Sequence, residues 1–163
     1  MIVTVSSPEE MNELGAAIAR QLRAGDLVAL DGELGAGKTT FTRGLGEELQ
    51  VRGAVTSPTF VLARTHPRPD GPPLVHVDAY RLGSPAELDD LDIDFAGSIV
   101  VVEWAAGMLD GITEDWLGLQ ITRPRGSRNA EASTDEGVEP RTVEITPHGE
   151  RWAEFALPGF KLS

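Results

Sequence analysis

The chain has 163 residues, 40% of them hydrophobic and 25% charged, a balance that suits one globular domain burying a single core. A formal net charge of −12 argues against broad electrostatic binding to nucleic acid or to an anionic membrane, since both need a basic surface. With no cysteine, disulfides, thiol nucleophiles and Cys-ligated zinc are excluded.

The first residues, Met1-Ile2-Val3-Thr4-Val5-Ser6, lack the basic region and apolar core of a signal peptide, and no apolar run reaches membrane-spanning length. A cytoplasmic protein with no membrane partner is expected. Ser7-Pro8-Glu9-Glu10 reads as a capped helix start, followed by Met11, Leu14, Ile18 and Leu22 at helical spacing, with Gly25 ending the helix. Leu27-Val28-Ala29-Leu30 then reads as a strand. It leads into Gly32-Glu33-Leu34-Gly35-Ala36-Gly37-Lys38-Thr39, which fits the phosphate-loop pattern G-x-x-x-x-G-K-S/T. Gly32, Gly35 and Gly37 let backbone amides approach phosphate oxygens, Lys38 adds a charge, and Thr39 offers a hydroxyl to Mg²⁺ at a helix N-terminus. A nucleoside triphosphate is the expected ligand. The helix spans 39–49, with Phe41, Leu45 and Leu49 facing the core and Gly53 closing it.

Thr56-Ser57-Pro58-Thr59-Phe60 follows, where phosphate-loop proteins place a switch segment; a plain turn before the proline is the alternative. Segments 60–64 and 74–80 read as strands joined by a Pro- and Gly-rich loop, 67–73. In the second strand His76, Asp78 and Tyr80 share one face. A carboxylate at a strand end beside a triphosphate can position water or complete a metal shell, which makes Asp78 a site candidate. For His76 and Tyr80 a solvent-facing strand explains the pattern equally well.

Ser84-Pro85-Ala86-Glu87 starts another helix with a capping-box glutamate, leading into a solvated acidic face at 88–92. In the strand 98–103, Ile99-Val100-Val101-Val102 runs into Glu103, as in a Walker-B strand whose terminal acid reaches the metal. Segments 117–122 and 141–146 alternate as edge or half-buried strands. Between them, 123–140 is polar and reads as a mobile insertion, while 149–157 admits either helix or strand. Arg43, Arg64 and Arg81 are candidate charge stabilisers.

The phosphate loop with Thr40, the Thr56–Phe60 segment, His76-Val77-Asp78-Ala79-Tyr80-Arg81 and Val102-Glu103-Trp104 occur in the order and spacing of one family. From the first helix to about Gly107 the chain resembles TsaE, formerly YjeE. The resemblance implies a single α/β domain over 1–163, a P-loop NTPase-like three-layer fold with a central mixed, mainly parallel sheet. It also implies an Mg²⁺-dependent ATPase required, with TsaB and TsaD, for N6-threonylcarbamoyladenosine at position 37 of tRNAs reading ANN codons. The tRNA would be met only indirectly. Hydrolysis of ATP would reset the complex, the carbamoyl transfer belonging to TsaD.

By motif match the resemblance makes Lys38 the phosphate-binding lysine, Thr39 and Glu103 the Mg²⁺ ligands, Asp78 the catalytic-site acid and Thr59 the switch threonine. ATP contacts would come from Gly32, Glu33, Leu34, Gly35, Ala36, Gly37, Lys38, Thr39, Thr40 and Trp104, although an indole at 104 could equally be core, and catalysis from Lys38, Asp78 and Glu103. Insertion 123–140 is the main departure from the family pattern, and Arg141 beyond it is a further candidate nucleotide contact. A free-standing small-molecule kinase is one alternative; it needs an acceptor pocket and an arginine-rich lid, for which only 123–128 offers residues. A GTPase-type regulatory module is another, but its Asn-Lys-x-Asp motif surrounds neither Lys38 nor Lys161.

Overall fold

A computed structural model describes residues 1–56, 62–123 and 140–162 of the chain. Strand β1 (Ile2–Val5) buries Val3 and Val5, a pattern too short for periodicity alone to assign. Helix α1 (Pro8–Ala19) starts as expected, with the Ser7 hydroxyl accepting from the Glu10 amide at 3.1 Å and Pro8 in the first turn, where no amide is needed. It ends at Ala19 with Arg20 as its C-cap, short of Gly25, and Leu22 packs on the core from the following turn.

Strand β2 (Leu27–Gly32) feeds the phosphate loop and helix α2 (Lys38–Leu49), which buries Phe41, Leu45 and Leu49. Gly53 does not close this helix. Gln50 takes the left-handed position itself (φ 59°), and the Val51 amide bonds back to Gly46 at 3.1 Å, turning Val51 onto the core. Strands β3 (Ala63–His66) and β4 (Leu74–Asp78) form the expected hairpin around 67–73, with β3 lying later than the expected 60–64 and residues 60–61 outside the described ones. Strand β4 stops two residues earlier than the sequence pattern indicates, because the chain turns where the Tyr80 amide bonds Asp78 Oδ1 at 3.0 Å.

Helix α3 (Pro85–Asp89) is a single short turn without a capping box: Ser84 makes no side-chain cap, and the Glu87 carboxylate accepts instead from the Gly83 amide. Asp89, Asp90 and Asp92 are exposed beside buried Leu88, as a solvated acidic face requires. Strand β5 (Ile99–Glu103) is buried throughout. Strands β6 (Trp116–Thr122) and β7 (Arg141–His148) follow, and the last stretch is a 3-10 turn, Glu150–Trp152, that buries Trp152.

The sheet order is β1-β7-β6-β2-β5-β4-β3. Strands β6, β2, β5 and β4 run parallel at its centre, with antiparallel pairs at both ends. Strands β6 and β7 are therefore interior; β1, hydrogen-bonded along β7, takes the edge expected of them. Their half-buried character holds, since Leu117, Leu119, Ile121, Val143 and Ile145 face inward and Gln120 and Glu144 face out.

Helices α1 and α2 cover one face of the sheet, and they approach closely. A Cβ on Gly15 would overlap the Phe41 carbonyl, and one on Gly44 the Asn12 carbonyl, so glycine is required at both positions. The opposite face of β2, β4 and β5 is covered by α3 and irregular segments through Leu88, Ala105 and Leu109. The result is a mixed α/β, P-loop-like architecture. No helix among the described residues is long and apolar enough to cross a membrane. Most of the 123–140 insertion lies outside the described residues.

Candidate nucleotide-binding site

The loop between β2 and α2 needs glycine where the chain reverses. Gly35 and Gly37 have φ of 80° and 120°, and a Cβ on Gly37 would lie 3.1 Å from Met11 Cε. The first helical bond of α2 runs from Phe41 to Gly37, which leaves the preceding amides of the first turn free of helical partners and the positive end of the helix at the loop. Thr39 and Thr40 occupy that turn, half-buried, and Leu34 at the loop tip is 87% exposed.

Lys38 folds back against its own loop. Its Nζ donates to the carbonyls of Gly32 at 2.6 Å and Glu33 at 3.0 Å and lies 4.4 Å from the centre of the Trp104 ring. Burial pushes the Lys38 ammonium below its ordinary pKa, while the negative charges of Glu103, Asp31 and Asp78 pull it back up. Those same attractions show that the lysine and the three carboxyls occupy one electrostatic neighbourhood.

Strand register gathers the acids. In the parallel β4–β5 pair Asp78 stands opposite Glu103, as Leu74 stands opposite Ile99. Leu74, Ile99 and Val101 belong to the core under α1 and α2, so the two-residue period turns His76, Asp78 and Glu103 toward that same side, where α2 begins. Glu103 is 4% exposed, and its Oε2 lies 2.5 Å from Nε2 of His76, which is wholly buried. The solvent-facing explanation therefore fails for His76: its neighbour β5 is buried on both faces, and the helix layer covers this side of the sheet. It holds for Tyr80, which is 68% exposed beyond the strand end. Asp78 is half-buried and has its Oδ1 fixed by the Tyr80 amide. Trp104 takes a left-handed φ of 59°, bonds Leu30 O through its amide at 2.9 Å and meets the Tyr80 ring edge-on at 5.1 Å.

Arg141, at the start of β7, donates from Nε to Ala36 O of the loop at 3.1 Å and helps line a cleft of about 90 Å³ with Ser7, Met11, Gly35 and Thr40. Thr59 lies outside the described residues. Arg43, Arg64 and Arg81 are exposed.

One residue at the site, Asp31, was not singled out by sequence, and another, Arg123, was read only as part of a candidate kinase lid. Asp31, at the end of the β2 apolar run, accepts from the Ala106 amide at 3.2 Å, and burial raises its carboxyl above the ordinary value against the opposing pull of the Ala106 and Ala105 amides and of Lys38. Arg123 brings Nη1 within 3.6 Å of where a Gly35 Cβ would lie. Both sit at C-terminal ends of parallel strands, the edge where open α/β sheets bind ligands, and that rule was the available signal once strand direction is known.

A protein-family model described as threonylcarbamoyl adenosine biosynthesis protein TsaE matches residues 5–130. The chain belongs to the TsaE family. A tRNA threonylcarbamoyladenosine biosynthesis protein TsaE from Streptomyces coelicolor is 59% identical over 147 residues, 88% of this chain and 94% of that one. The TsaE protein of Bacillus subtilis is 38% identical over 72% of this chain and 74% of its own length. The crystal structure of YdiB from Bacillus subtilis aligns with a TM-score of 0.71 at 30% identity, over 93% of this chain and 88% of that one. The family match runs past Gly107 to take in all of β6, further than the four sequence motifs reach.

Proposed function

We propose that the chain is an Mg²⁺-dependent cytoplasmic ATPase required, with TsaB and TsaD, for N6-threonylcarbamoyladenosine at adenosine 37 of tRNAs reading ANN codons. Membership of a family named for that biosynthesis supports the pathway. The observation that carries the ATPase reading is the convergence of Lys38, Asp78 and Glu103 beside one phosphate loop. A net charge of −12 supports contact with tRNA through partner proteins rather than directly.

The donor set fits Mg²⁺. The Thr39 hydroxyl and the Glu103 carboxylate are hard oxygen ligands. Among the described residues no three acidic or imidazole groups gather to hold an ion by themselves, and Mg²⁺ characteristically takes its remaining ligands from phosphates and water. When bound, the ion would neutralise charge on the phosphate oxygens.

The loop amides and Lys38 hold the triphosphate, the lysine leaving the Gly32 and Glu33 carbonyls for the outer phosphates. Asp78, held by the Tyr80 amide, orients the attacking water and receives its proton. Water adds to the γ-phosphorus, the bond to the β–γ bridging oxygen breaks, and ADP and inorganic phosphate result. Trp104 and the cleft beside Arg141 flank the loop and contact the nucleotide. Hydrolysis resets the modification complex between turnovers.

Phosphate release by the chain alone and with TsaB, TsaD and tRNA tests this reading. Stimulation by the partners, with ATP competing better than GTP, is the expected result. A rate indifferent to the partners, or transfer of phosphate to a small acceptor, would contradict it.

A further inference from the structure

His76 is a polar ring set in an apolar part of the core. It lies wholly buried on the α2-facing side of β4, two residues after apolar Leu74, at a position where an aliphatic side chain would fill the core without desolvating polar atoms. Among the described residues its Nδ1 has no hydrogen-bond partner. The one bond of this buried ring among the described residues goes to Glu103 Oε2, at 2.5 Å. With the proton on Nε2 that oxygen is the acceptor, and the other carboxylate oxygen is left for a cation or its water.

We infer that His76 is a positioning residue: it fixes the Glu103 carboxylate in the orientation that receives Mg²⁺, without touching nucleotide or metal itself. This rests on the ATPase reading above and deepens it. Glu103 ends a strand, and a glutamate has three side-chain torsions to order; a buried partner anchored in the adjacent strand removes that freedom before the ligand arrives. A partner fixing a metal-bound carboxylate commonly contributes about 10–100-fold to metal affinity. The register matters, because His76 pairs with Val101, one step back along the same face from Glu103, so the imidazole supports the carboxylate from below.

The test is calorimetric ADP binding at graded Mg²⁺ for the wild type, His76→Leu, His76→Gln and Glu103→Ala, with thermal unfolding of each. His76→Leu should need at least about tenfold more Mg²⁺ for half of the Mg²⁺-dependent gain in affinity, while affinity without Mg²⁺ stays within about twofold. His76→Gln, which retains a donor, should lie nearer the wild type. A folded His76→Leu protein with wild-type Mg²⁺ dependence overturns the inference, provided Glu103→Ala loses that dependence. If Glu103→Ala keeps it, the metal role of Glu103 fails first and the inference falls with it. Should neither His76 variant fold, NMR of isotope-labelled histidine in the wild type decides: the His76 Nε2 resonance should move when Mg²⁺ joins the ADP-loaded protein, and a resonance that stays put overturns the inference.

Discussion

Asp78 and Glu103 face each other in register at the C-terminal ends of the parallel strands β4 and β5, on the side where α2 begins. Their surroundings differ. Glu103 is buried and bonded to His76, whereas Asp78 is half-buried and bonded only at Oδ1 to a backbone amide among the contacts described. A fixed carboxylate suits a metal, and one open to solvent suits a water.

Asp78→Asn should therefore separate binding from chemistry. Hydrolysis should fall at least about 100-fold while Mg²⁺-dependent ADP affinity changes less than about threefold. Phosphate release and calorimetry measure the two quantities, and a parallel loss of both would contradict the assignment.

Lys38→Met should lower ATP affinity at least about tenfold, the value of one charge-assisted phosphate contact. Its effect on unfolding free energy in denaturant should be small, within about 1 kcal/mol, because relief from burying a cation offsets the lost carbonyl bonds. The pH dependence has a definite sign. Burial lowers the folded pKa of Lys38 below 10.5, so between the two values the unfolded chain binds the extra proton and wild-type stability gains with rising pH. Lys38→Met should lose that alkaline gain.

Asp31→Asn should be more stable than the wild type at neutral pH. The carboxyl of Asp31 is raised above 3.8 in the folded state, so its stability contribution is intact below 3.8 and is lost as pH rises through the folded value. The asparagine keeps an oxygen for the Ala106 amide and carries no charge. Thermal unfolding should show a gain of about 2–3 °C at neutral pH for this partly screened group, vanishing below the unfolded-state pKa.

Gly37→Ala should destabilise the chain by about 1–3 kcal/mol and weaken nucleotide binding, since alanine at φ 120° is strained and its Cβ would press on Met11. Urea unfolding measures the first effect and ADP calorimetry the second.

What the sequence made legible was whatever chemistry lies contiguous along the chain. The phosphate loop needs only neighbouring residues, and Glu103 stands out because four apolar residues stop at it. Asp78 was readable as a strand-end acid, although the strand closes on it rather than at Tyr80. The His76–Glu103 bond was not readable, because it depends on the register between strands whose partners lie 27 residues apart. Arg123 reaches the loop only because β6 runs parallel to β2, and β7 is interior only because four residues at the N-terminus add a strand beyond it.

The most direct test of a single hydrolytic site built on Lys38, Asp78 and Glu103 is ATP hydrolysis by Glu103→Gln in the presence of TsaB, TsaD and tRNA. Glutamine can still accept from His76, so the fold and the Mg²⁺-independent part of nucleotide binding should survive. Hydrolysis should fall at least about 100-fold, with modification of the tRNA lost alongside it. A Glu103→Gln protein that hydrolyses ATP and supports modification within about twofold of the wild type would contradict the site.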